Sequence, residues 1–229
     1  MSTLRRLGSF PSLQITPSKD DSDLVSAPAG AAAGAHTLQY HGGPTLANPK
    51  LALLWCGAPA LDRARFEQFA RELLEYGYLA ALGYAGFQSG RFLGGFDGPA
   101  FQPGMTVADA AIRQAIGTHL QTHPELPQPD GSTIYAAMLP KGVTAQFDGS
   151  PETSCSAFCA FHEAALPLLY TVQPATDCAP CNQGDPFAAA CMTLAHEVAE
   201  TVSDPTGQGW YEDATGMENA DIVAWIPKQ

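Results

Sequence analysis

The six residues Leu51–Cys56 (LALLWC) form an unbroken apolar run, with Pro49 just ahead of it and Gly57 closing it. A run that short, with no polar position to face water, predicts a strand buried on both faces of a sheet. Helical spacing takes over downstream. Within Leu61–Leu82 the apolar positions Phe66, Phe69, Ala70, Leu73 and Leu74 follow a helical period. Val107–Leu120 predicts a second helix, with Thr106 as its cap and Asp109 near its positive end. Asp185 opens a third, Pro186 suits its first turn, and Pro205 stops it just after Ser203. Ile134–Leu139 and Leu168–Val172 read as further strands, and the glycine-rich stretch Gly83–Gly104 as an irregular loop. Strands alternating with helices put the chain in the α/β (or α+β) class, with a mixed sheet and long irregular loops.

The first residues read differently. They hold Pro11, Pro17, the charge cluster Lys19–Asp23 and the small-residue run Ala27–Ala35, a composition that cannot offset its own ordering entropy. The 229-residue chain therefore divides into a flexible N-terminal arm or pro-segment over 1–37 and a single catalytic-like domain over 38–229. With 23 acidic against 11 basic residues the net charge is −12, which argues against nucleic acid or an anionic membrane as partner. No stretch reaches the roughly 20 apolar residues of a membrane span. Arg5 and Arg6 lack an apolar run behind them, so no complete signal peptide is visible.

The third helix carries the chemistry. His196 and Glu200 are four residues apart and project from one face, where they can share a metal ion. Glu197 follows the first ligand directly, where zinc peptidases place the carboxylate that takes a proton from metal-activated water. Phe187, Cys191, Leu194, Val198 and Val202 make an opposite, apolar stripe that anchors the helix in the core. An ordinary acidic helix end is the plain alternative. Asp204 is either a further ligand on the same face or a cap for the turn before Pro205.

The stretch from His196 to Ile222, with Glu218 and Asp221 behind the helix, resembles the thermolysin-like (gluzincin) arrangement. That resemblance implies a zincin-like domain with an active-site helix, one divalent cation, zinc, on His196, Glu200 and Glu218, and Glu197 as general base. It also implies that Asp221 orients His196 through its second ring nitrogen. Glu200 stands where the family has a second histidine, and so oxygen-rich a set weakens the preference for zinc over other divalent ions. Trp210 and Tyr211 either line the pocket or plug the core.

A second resemblance covers roughly residues 38 to 221. Tyr40-His41-Gly42-Gly43-Pro44, the Leu54-Trp55-Cys56-Gly57 strand end, Cys155–His162, Cys178-Ala179-Pro180-Cys181 and the block from Asp204 through Gly209-Trp210-Tyr211 to Glu218 occur in the order of the EXORDIUM-like (phosphate-induced) family. Plant members are secreted and generally lack the HExxE pair present here. The resemblance implies an extracellular or periplasmic protein. Cys155, Cys159, Cys178 and Cys181 have spacing for a four-thiolate zinc site, or for two disulfides, local or crossed, which the secreted family implies. Cys56 stands where the family has tyrosine, so the resemblance assigns it no partner and a pairing with Cys191 stays open. His162 is a core histidine beside a bridge or a residue facing the site. Two functions follow: a metal-dependent hydrolase acting on a peptide or protein substrate, or a non-catalytic EXORDIUM-like binding or signalling module with a structural cation.

Overall fold

The computed structural model describes residues 37–182 and 184–224, so the arm expected over 1–37 lies, apart from Thr37, outside the described residues. The strands are β1 (Gln39–Tyr40), β2 (Lys50–Trp55), β3 (Arg91–Asp97), β4 (Thr106–Ala108), β5 (Thr133–Met138), β6 (Thr144–Gln146), β7 (Phe161–Ala165), β8 (Leu168–Gln173) and β9 (Trp210–Tyr211). The α-helices are α1 (Arg63–Glu75), α2 (Asp109–Thr122), α3 (Ala179–Asn182), α4 (Pro186–Ser203) and α5 (Asn219–Ala224), and a 3-10 helix covers Tyr78–Ala85.

The apolar run is an inner strand, as its composition requires. The main sheet has the order β3-β2-β5-β8-β7; its first four strands are parallel and the edge strand β7 is antiparallel to β8. Period-two alternation divides β2 between two cores. Leu51, Leu53 and Trp55 pack with Phe66, Leu73 and Leu74 of α1 and Leu194, Val198 and Val202 of α4. Ala52, Leu54 and Cys56 face the other way, onto Ile112, Ile116 and Leu120 of α2. The result is a mixed α/β sandwich. No described helix is long and apolar enough to cross a membrane.

Three local expectations need correction. The loop expected over Gly83–Gly104 contains β3, whose glycines mark a bulge: Gly94, at φ 125°, sits where the β2–β3 register shifts between Leu51 and Ala52. Thr106 does not cap α2. It belongs to β4, which pairs with β6, and Asp148 Oδ1 accepts from Ala110 N at 3.0 Å instead. The single helix expected over Leu61–Leu82 ends at Glu75, and the 3-10 turn follows after Gly77.

Two crossed disulfides, Cys155–Cys178 and Cys159–Cys181, form in place of a thiolate zinc site. They join the loop leading into β7 to the segment leading into α4, and they fit an oxidising compartment. Cys56 and Cys191 are both free thiols, because they belong to cores on opposite faces of the sheet. Replacing Cys159 and Cys181 together by Ser opens a closed loop spanning 22 positions. This change should cost about 2–4 kcal/mol, read as a lower urea midpoint. An unshifted midpoint would mean that the bridge adds nothing to stability.

Candidate metal centre

The apolar stripe of α4 sets the rotation of the helix. Asp185 starts it, its Oδ1 accepting from Phe187 N at 2.9 Å and Ala188 N at 3.2 Å. Leu194, Val198 and Val202 are fully buried, with Phe187 and Cys191 packed at the margin, as the sequence pattern predicts. At 3.6 residues per turn, Glu200 then lies about 40° round the helix from His196 and Glu197 about 100°. Glu200 is in the middle of the three.

The antiparallel edge strand supplies a histidine to meet them. Phe161 and His162 point to opposite sides of β7. Phe161 packs among Phe147 and Phe158, and His162 is buried against the carboxylates of α4. The chain beyond α4 is folded back by Asp204, whose Oδ1 accepts from Gln208 N at 2.6 Å and Gly209 N at 2.7 Å. A side chain at Gly209 would bring its Cβ to 2.3 Å from Ser203 O, so only glycine permits this return. The return delivers Glu218 and α5. Asn219 Nδ2 donates to Ala199 O at 3.2 Å, Ser203 Oγ at 2.9 Å and the Tyr84 hydroxyl at 3.0 Å, tying α5 to the end of α4.

Two groups of potential metal ligands result, and they share Glu200. In the outer group His196 Nε2 lies 3.0 Å from Glu200 Oε1 and 3.5 Å from Asp221 Oδ1. In the inner group His162 Nδ1 lies 3.2 Å from Glu197 Oε2 and 3.6 Å from Glu200 Oε2. On the far side of its ring, His162 Nε2 lies 3.6 Å from Glu218 Oε2. The outer group reaches solvent, since the His196 side chain is 21% exposed, whereas Glu200 is completely buried.

Five carboxylates, Glu197, Glu200, Asp204, Glu218 and Asp221, are gathered round two imidazoles, and the buried oxygens Glu200 Oε2, Asp204 Oδ2 and Glu218 Oε2 have no hydrogen-bond partner. Such oxygens cost several kcal/mol to bury unless a positive charge meets them. Burial raises the Glu200 carboxyl above its ordinary range and the Glu218 carboxyl well above it. Burial alone would lower the His162 imidazole, but Glu218, Glu197 and Glu200 outweigh it and push it up to about 10. His196, also desolvated, is held well above its ordinary value by Glu200 and Asp221. This donor set fits a divalent cation.

The sequence-derived residues are therefore regrouped. His196 and Glu200 meet at 3.0 Å, whereas Glu197, read beside them, turns to His162 at 3.2 Å. Glu218 reaches the cluster through His162. Asp221, expected to orient His196 through its second ring nitrogen, meets the same Nε2 that Glu200 meets. Asp204 holds the turn with one oxygen, as a cap, and keeps the other unpartnered. His162 faces the site, and its place in an edge strand left no sequence signal beyond its position after Cys159. Trp210 and Tyr211 form part of an aromatic clasp. Trp210 stacks on Tyr40 at 5.3 Å and meets Tyr84 edge-on at 5.0 Å, while Tyr211 stacks on His41 at 3.5 Å.

The raised His162 value carries a pH dependence. A folded value above the unfolded one means that its stabilisation is complete below about pH 6.5 and is lost as pH rises through about 10. In chelator, the urea midpoint should fall across that window, and His162→Asn should flatten the fall. Parallel curves for the two proteins would remove His162 as its source. Compared with family models, with curated proteins and with solved structures, the chain finds no match in any of the three.

Proposed function

We propose that the protein is a metal-dependent hydrolase that cleaves peptide bonds. The observation that carries this reading is the outer group: His196 Nε2, Glu200 Oε1 and Asp221 Oδ1 converge at 3.0 and 3.5 Å on a partly exposed imidazole, with Glu197 next to it on the helix. Partial exposure is what a catalytic centre needs and a structural one does not, because substrate and water must reach the ion. A divalent ion held there supplies Lewis acidity towards a carbonyl and lowers the pKa of water. With an ion bound, Glu197 would serve as the base for the attacking water and as the acid for the leaving amine. His162, bonded to Glu197 Oε2 at 3.2 Å, fixes the carboxylate in place.

A peptide is the substrate class that the neighbouring backbone fits. Among the described residues no strand pairs with the outer side of β7, and this strand carries His162 into the site. An extended peptide can add to that edge by main-chain hydrogen bonds and so lie alongside the ion. The zincin-like reading draws support from the same pairing of a mixed sheet with a ligand-bearing helix.

EXORDIUM-like membership is supported by the meeting of two motif blocks far apart in sequence. Gln39 pairs with Tyr211 and Tyr40 with Trp210, and a side chain on Gly43 would collide with Gln208. The alternative, a non-catalytic secreted module with a structural cation, is favoured by the burial of His162, Glu197, Glu200 and Glu218. A peptide library separates the two readings. Wild type should cleave it with metal added, and Glu197→Gln should keep the ion at His196 while losing about 100- to 10,000-fold in rate. Undiminished turnover by Glu197→Gln would remove the assigned base, and the absence of any stoichiometric ion would overturn the hydrolase.

A further inference from the structure

Glu200 is the side chain that the two imidazoles share, one oxygen to each. Oε1 lies 3.0 Å from His196 Nε2, and Oε2 lies 3.6 Å from His162 Nδ1 without a hydrogen-bond partner. A proton on His162 does not account for this arrangement. Nδ1 carries at most one hydrogen, and Glu197 Oε2 at 3.2 Å is already in position to accept it. Glu200 Oε2 is then a completely buried carboxylate oxygen aimed at a nitrogen with nothing left to donate.

A cation accounts for it. Ligand atoms about 2.0–2.2 Å from one ion stand roughly 3–3.6 Å from one another. The inner group, at 3.2 and 3.6 Å, has that spacing as fully as the outer group does at 3.0 and 3.5 Å.

We propose that the site holds two divalent cations bridged by the Glu200 carboxylate. The outer ion takes His196 Nε2, Glu200 Oε1 and Asp221 Oδ1; the inner ion takes His162 Nδ1, Glu200 Oε2 and Glu197 Oε2. The inner ion rests on the metal-dependent reading above and extends it. Glu218 becomes the positioning residue of the inner half. Its Oε2 stands 3.6 Å from Nε2 on the other side of the ring, where its charge favours the proton on Nε2 and leaves Nδ1 free to ligate, the direction of the carboxylate–histidine–metal relation. Glu197, ligating through one oxygen, retains the other for the proton of the attacking water. Two ions across one carboxylate make a clamp for oxygen charge on both sides of a displacement.

The test is a count of ions on the full chain, stripped with chelator and dialysed against Zn²⁺ or Mn²⁺. Two ions should bind per wild-type chain, one per His162→Ala chain and one per His196→Ala chain. The Mn²⁺ resonance should show a coupled pair in wild type and isolated ions in both variants. Should His162→Ala fail to fold, as circular dichroism would reveal, Glu218→Gln serves in its place and should weaken the inner ion alone by about 10- to 100-fold. One ion in wild type that survives the inner-half substitution overturns the pair and leaves the one-ion hydrolase standing. No ion at all overturns both. Two ions undisturbed by either inner-half variant would also overturn the assignment.

Discussion

Leu194, Val198 and Val202 lock α4 against the sheet and α1, and everything in the site depends on that lock. Once the apolar stripe is buried, the remaining face of the helix must press His196, Glu197 and Glu200 onto whatever lies beside it. What lies beside it is the last strand of the sheet, and that strand brings His162. Hydrophobic packing thus performs electrostatic work. It holds carboxylates in a place that no single carboxylate would occupy alone, and the partnerless oxygens of Glu200 and Glu218 are the result.

Much of the scaffold was legible in the sequence because its signals are local. The β2 run, the α4 stripe, and the Asp185 and Pro186 start each announce themselves within a few residues. The same holds for His196 and Glu200, which one helical period brings together. Legibility fails where the deciding contact is distant. β3 is hidden by glycines that serve a bulge against β2, and the α2 cap comes from Asp148, nearly forty positions away. His162 illustrates the limit best. Alternation in an edge strand decides its direction, but only the position of that strand next to α4 decides what it meets. The exchange of Glu218 and Asp221 relative to expectation has the same origin, since the turn held by Asp204 sets which carboxylate arrives at which imidazole.

Tyr40, His41, Tyr84, Trp210 and Tyr211 stack into an aromatic clasp that supports the return of the chain. β1 and β9 are two residues each and could not hold together by their ladder alone. The stacked rings close the return loop that carries Glu218 and α5 back to α4. Through Asn219, which donates to both Tyr84 and Ser203, the clasp is joined to the end of the ligand-bearing helix.

The crossed bridges have a consequence in time as well as in space. Cys155 and Cys159 precede the strand with His162, and Cys178 and Cys181 precede the helix with the other ligands. Both halves of the cluster are therefore tethered at their upstream ends by bonds that form only on oxidation. In a reducing compartment a newly made chain has its imidazoles and carboxylates but not the ties that hold the two halves in register. Assembly of the cluster would therefore wait on oxidation of the two cysteine pairs, and the order of those two events is written into the chain.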